Sequence, residues 1–225
     1  MNAKLARRAA AEAVGTGFLL MAVVGSGIAA VRRSPDDAGL QLLENSLVTG
    51  AALMALILAL QPVSASFNPV VTLVERALGR VDTTTALTLS AAQVAGGGAG
   101  VVVANLMFDL DAVSVSGTSR DGPGQWLGEV VATFGLVLIV FGSLRTARPS
   151  TVAVAVGGYI SAAYWFTSST SFANPAVTVA RILSDTFAGI APASAPAFVA
   201  CQAVGGLLGW LAVRFLFPES KESTP

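Results

Sequence analysis

The chain has 225 residues, 54% of them hydrophobic and only 12% charged, with zero net charge. Soluble domains carry about a quarter charged residues, so this balance, with a mean hydropathy of +0.72, excludes an ordinary soluble globule and points to a polytopic membrane protein. Zero net charge implies no nucleic-acid partner, the absence of histidine removes the commonest general base and metal ligand, and the single Cys201 excludes an internal disulfide or multi-thiolate site.

Lys4, Arg7 and Arg8 precede the first charge-free run, residues 13–31. The run is long, no cleavage site precedes a soluble domain, and more apolar runs follow, so it reads as a first span and not as a signal peptide. Further charge-free runs cover 45–74, 83–108, 130–144, 149–180 and 186–213. A span needs about 20 apolar residues. The run 130–144 is short but is extended by Trp126 and Leu127, whereas 45–74 and 149–180 are too long for one upright helix. Each long run holds an Asn-Pro pair in its last third, Asn68-Pro69-Val70 and Asn174-Pro175-Ala176. Proline breaks a helix and pushes the residue before it out of the helical region. Each long run therefore reads as a full span, a turn, and a short helix. From Pro69 to Gly79 that helix would be about 16 Å long, half a bilayer.

Three landmarks recur in the same order, each about 110 residues apart. Glu12-Ala-Val-Gly-Thr echoes Glu129-Val-Val-Ala-Thr, the Asn-Pro boxes echo each other, and Gln93-Val-Ala-Gly-Gly echoes Gln202-Ala-Val-Gly-Gly. Each half holds three spans and one half-helix. Three is odd, so the second half enters from the opposite side, giving an inverted repeat with its site at the midplane. The expectation is an all-α membrane protein with six transmembrane helices and two re-entrant half-helices. It forms one channel domain over 1–225, with repeat 1 at about 9–110 and repeat 2 at about 124–217. Nine Lys and Arg residues, Lys4 to Lys221, collect on one side against Arg32, Arg33, Arg120 and Arg181 on the other. That bias puts both termini in the cytoplasm and the loop Asp109–Gly124 outside.

Proline at the first helical position makes Asn68 and Asn174 N-caps, whose carboxamide oxygens accept their own helix's free amides and whose NH2 groups point into a pore. Two helix N-termini aimed at one point create a positive barrier to a proton or cation. Glu12 and Glu129 lie inside spans, where acids are functional candidates by default. Two readings stand: a proton relay, which would make a transporter, or a structural role accepting hydrogen bonds from loop backbone. The second is favoured, and Gln93 and Gln202 are read the same way. Cys201 is read as packing, and the glycine cluster at 96–98 and 205–206 as close helix crossings.

The twin boxes, the Glu and Gln landmarks and the three-plus-three repeat resemble the aquaporin, or major intrinsic protein, family over nearly the whole chain. The resemblance implies a six-helix bundle, one pore per protomer, a homotetramer, no enzyme activity, no cofactor and no metal. It also marks a departure. Family members carry arginine directly after the second Asn-Pro-Ala; here that position is Val177, and the first box ends in Val70. Aligned to the family, the remaining filter positions are Thr49, about Ile160, and Ser171. That set is uncharged and wide. Arg181, four residues beyond Val177, either edges the vestibule or snorkels to the interface. The string from Tyr164 to Arg181 is similar to a bacterial branch of aquaglyceroporins, often associated with arsenic resistance, that has valine in place of the filter arginine. It implies a passive channel for arsenite As(OH)3, methylated arsenicals, glycerol and water in a bacterial inner membrane. An ordinary water and glycerol facilitator is the alternative.

Overall fold

A computed structural model describes residues 2–145 and 148–218; Lys221, used in the orientation count, lies outside them. The described residues form eight α-helices and one 3-10 turn, with no strand among them. Helices α1 (Ala3–Arg33), α2 (Ala38–Leu60), α3 (Pro69–Ala77) and α4 (Thr83–Met107) make the first half. Helices α5 (Pro123–Ser143), α6 (Pro149–Phe166), α7 (Pro175–Ala180) and α8 (Ala195–Leu216) repeat the order long, long, short, long. Five of the long helices are long and apolar enough to cross a membrane, and the sixth, α6, is a shorter apolar helix. The half-helices are shorter than the sequence implies: α3 has 9 residues, and α7 has 6 before it tightens into the 3-10 turn Arg181–Leu183.

The first half pairs α1 with α2 and α4, the second pairs α5 with α6 and α8, and α2 meets α6 across the middle. The inside of the bundle is polar where the two repeats require it. Glu12, Gln93, Glu129 and Gln202 are all fully buried. The outside is apolar, with Leu87, Leu127 and Phe215 among the large side chains left exposed. A surface of that kind is matched to hydrocarbon, not to water. Lys4 and Leu144 border the same cavity, and Arg145 donates to the Phe217 carbonyl at 2.8 Å. The start of α1 and the end of α8 therefore lie at one end of the bundle, the terminal end. The other end is capped by the segment 109–122, whose Ser114 and Ser116 amides bond to the carbonyls of Leu183 and Ile182.

Helices α1 and α4 touch at the backbone. A Cβ added to Gly96 would lie 2.1 Å from the Ala13 carbonyl oxygen, and one added to Gly100 would lie 2.1 Å from that of Gly17. The second repeat does the same at Gly205, where a Cβ would lie 2.5 Å from the Val130 oxygen. Close approach of this kind is what small residues allow in membrane bundles. Gly100→Val should therefore push α1 from α4, at a cost of about 1–3 kcal/mol or more, and remove the monodisperse species on size-exclusion in detergent. Gly158→Ala, on a glycine with nothing within 4 Å, should leave that species intact.

Candidate pore

Asn68 and Asn174 cap α3 and α7 from extended backbone, each followed by proline at the first helical position. The Asn68 carboxamide oxygen accepts from the Val70 amide at 2.9 Å; that of Asn174 accepts from Ala176 at 2.9 Å and Val177 at 3.3 Å. The amide nitrogens do more than face a pore. Asn68 Nδ2 donates to the Ala173 carbonyl at 2.7 Å, and Asn174 Nδ2 donates to the Phe67 carbonyl at 2.7 Å. Each box is thus tied to the residue preceding the other box. Each NH2 has two hydrogens, so one is fixed between the two boxes and one remains for the cavity that both asparagines border.

The accepting carbonyls belong to the two residues ahead of the asparagines, Phe67 at φ 49° and Ala173 at φ 48°. A non-glycine residue in that region is strained and needs its surroundings to hold it. The buried glutamates supply the hold. Glu12 accepts from Ser64 Oγ at 2.5 Å, the Ser66 amide at 2.9 Å, the Phe67 amide at 2.6 Å and Gln93 Nε2 at 2.8 Å. Glu129 accepts from Ser169 Oγ at 2.7 Å, the Phe172 and Ala173 amides at 2.9 Å and Gln202 Nε2 at 2.5 Å. Each carboxylate therefore pins the amide of a residue whose carbonyl takes the opposite asparagine. Gln93 and Gln202 also donate to Thr72 and Thr178, whose hydroxyls bond back to the carbonyls of Asn68 and Asn174. The two networks match member for member, although their parts lie in opposite halves of the chain.

A cavity of about 930 Å3 runs through the bundle from Lys4 and Arg8 at the terminal end to Arg181 at the other. Asn68, Asn174, Thr49, Ile160, Ser171 and Val177 all border it. Pro69, Val70, Pro175 and Ala176 do not, and neither do Glu12, Gln93, Glu129 or Gln202, which hold the loops from behind. Val70 packs instead onto α8, its Cγ1 lying 2.4 Å from where a Gly206 Cβ would stand. The extra methyls of that box, relative to alanine, fill a dimple made by a glycine.

The stretch beyond the asparagines is polar without carrying acid. Thr49 Oγ1 lies 3.2 Å from the Tyr164 hydroxyl, which also borders the cavity. Ser171 Oγ is buried with no protein partner. Arg181 is only 2% exposed, so it does not snorkel to an interface. Its Nε donates to the Ala188 carbonyl and its guanidinium lies 3.5 Å from the centre of the Phe172 ring. Arg120 lies 5.0 Å from the same ring. The sequence assigns no pore role to Tyr164, Phe172 or Arg120. Tyr164 stands one helical turn after Ile160, a spacing that could have marked it; nothing local to Arg120 or Phe172 announces their meeting.

A family model described as Major intrinsic protein matches residues 1–151. The chain is 47% identical over 218 residues to the aquaglyceroporin AqpS of Rhizobium meliloti (strain 1021), covering 96% of this chain and 93% of that protein. The X-ray structure of the aquaglyceroporin from Plasmodium falciparum superposes with a TM-score of 0.75 over 95% of this chain and 98% of its own, at 17% identity. At that identity the likeness is one of fold.

Proposed function

This chain belongs to the major intrinsic protein family, and on that premise we propose that it is a wide, passive pore for small neutral polyols and hydroxylated acids, arsenite As(OH)3 among them. The family membership makes it a multi-pass membrane channel for small solutes such as glycerol and water, and not an enzyme. The finer reading is carried by one observation: the wall at Thr49, Ile160, Ser171 and Val177 carries no charge, and Ser171 Oγ has no partner in the protein.

A solute entering a constriction leaves its hydration shell and needs replacement hydrogen bonds. Ser171 Oγ, the Thr49 and Tyr164 hydroxyls and the free hydrogens of Asn68 and Asn174 offer them in series. Val177 and Ile160 add apolar surface to the same cavity. That combination suits a molecule with hydroxyls on one side and a less polar face on the other, as in glycerol and As(OH)3. The buried glutamates take no part in the path. Each is saturated with donors and lies behind a loop, which weighs against proton coupling. Lys and Arg bias favours a cytoplasmic terminal end, and family likeness supports a homotetramer in a bacterial inner membrane.

Proteoliposomes give the test. Glycerol and arsenite should equilibrate well above the lipid background, with initial rates proportional to concentration across the range a carrier would saturate. Movement of water alone would leave an ordinary water channel. Saturable or uphill flux would end the channel reading.

A further inference from the structure

We propose that Arg181 is the cation barrier of this pore, supplying from one turn beyond Val177 the positive charge that the constriction itself lacks; this rests on the channel reading above. Four cavity-lining residues are charged: Lys4, Arg8 and Glu75 belong to the terminal half, and Arg181 stands alone in the other. Its side chain is 2% exposed and fixed on two sides, by the Ala188 carbonyl on Nε and by the Phe172 ring. Neither terminal nitrogen has a partner among the described residues. The guanidinium therefore presents uncommitted donors and a full charge to the lumen.

Arg120 adds to it from behind the wall. It is held by the Gly189 carbonyl at 2.7 Å and the Phe187 carbonyl at 3.2 Å, against the same aromatic ring. No carboxylate pairs with either arginine among the described residues. Glu129, the acid in electrostatic reach of both, is outside the cavity and committed to four donors. Asp185 bonds the Gly117 amide and Asp121 bonds Ser119 and Ser194. A cation stripped of water thus meets net positive charge at low dielectric before it reaches the asparagines. A neutral solute meets only hydrogen-bond donors.

The test is Arg181→Gln, Arg181→Met and Arg181→Lys in proteoliposomes, reading sodium and proton leak alongside glycerol flux. Gln and Met should raise cation leak, and with it the ratio of cation leak to glycerol flux, by about tenfold or more. Lys should keep leak near the parent level, because charge and not shape is the barrier. Methionine retains bulk over Phe172, so it serves if the glutamine variant does not assemble. Transferring the charge inward, Val177→Arg with Arg181→Gln, should suppress the leak again. Unchanged leak in a glycerol-conducting Gln or Met variant overturns the inference. A parent that conducts no glycerol fails the channel reading instead.

Discussion

Val177→Arg should cut glycerol and arsenite flux by about tenfold or more and water flux far less. Val177 borders the cavity with Thr49, Ile160 and Ser171. Arginine at this site projects a long side chain with five donors into a wall that now holds two methyl groups. Ser171 Oγ, buried and without a partner, offers an acceptor on the same cavity. The substitution narrows the opening, so bulk decides which solutes are lost first. Stopped-flow measurements of water, glycerol and arsenite, at matched content of folded protein, would read this as a change in ratios. Unchanged ratios in a correctly assembled variant would show that Val177 is not at the constriction. A second guanidinium one turn from Arg181 adds like charge, so some loss of stability accompanies the change.

Glu129→Gln should have its largest effect on folding and none on solute preference. The carboxylate accepts four hydrogen bonds in a fully buried site. Glutamine replaces one accepting oxygen by a donor, which then faces the Ala173 amide or the Ser169 hydroxyl. Hydrogen bonds to a charged group are each worth about 1.5–3 kcal/mol, and leaving one donor unmatched costs about 1–3 kcal/mol more. Loss of most of the folded protein at 37 °C is the expected result, seen as a lower melting temperature on size-exclusion in detergent. Any surviving fraction should pass solutes in the parent's ratios. The strained Ala173, at φ 48°, loses its anchor, so the Asn68 bond to its carbonyl loosens as well. A variant that folds and melts like the parent would remove the structural role. If such a variant also lost a proton-dependent uphill flux, Glu129 would be a relay and the protein a transporter.

The amino-acid sequence alone determined the number of long helices, the two short ones and their order in each half. These follow from local rules: charge-free runs of bilayer length, proline's effect on the preceding residue, and landmarks at near-constant offset. The same rules located Asn68 and Asn174 as caps, because capping is decided within three residues. What local rules could not reach is set by tertiary contacts, most of them across 44 to 115 positions. The crossed bonds from Asn68 to Ala173 and from Asn174 to Phe67 join opposite halves. The strain at Phe67 and Ala173 exists only because a glutamate from another helix holds each amide. Thr49 finds Tyr164 at a separation of 115 residues. Arg181, read from sequence as a vestibule residue or an interfacial one, is fixed inside by Phe172 and Ala188, since a cation under a loop needs a ring and a carbonyl that only folding brings to it. Charge and periodicity placed these side chains along the chain; tertiary packing alone decided which of them share a wall, because hydrogen bonds between distant segments leave no local signature in the order of residues.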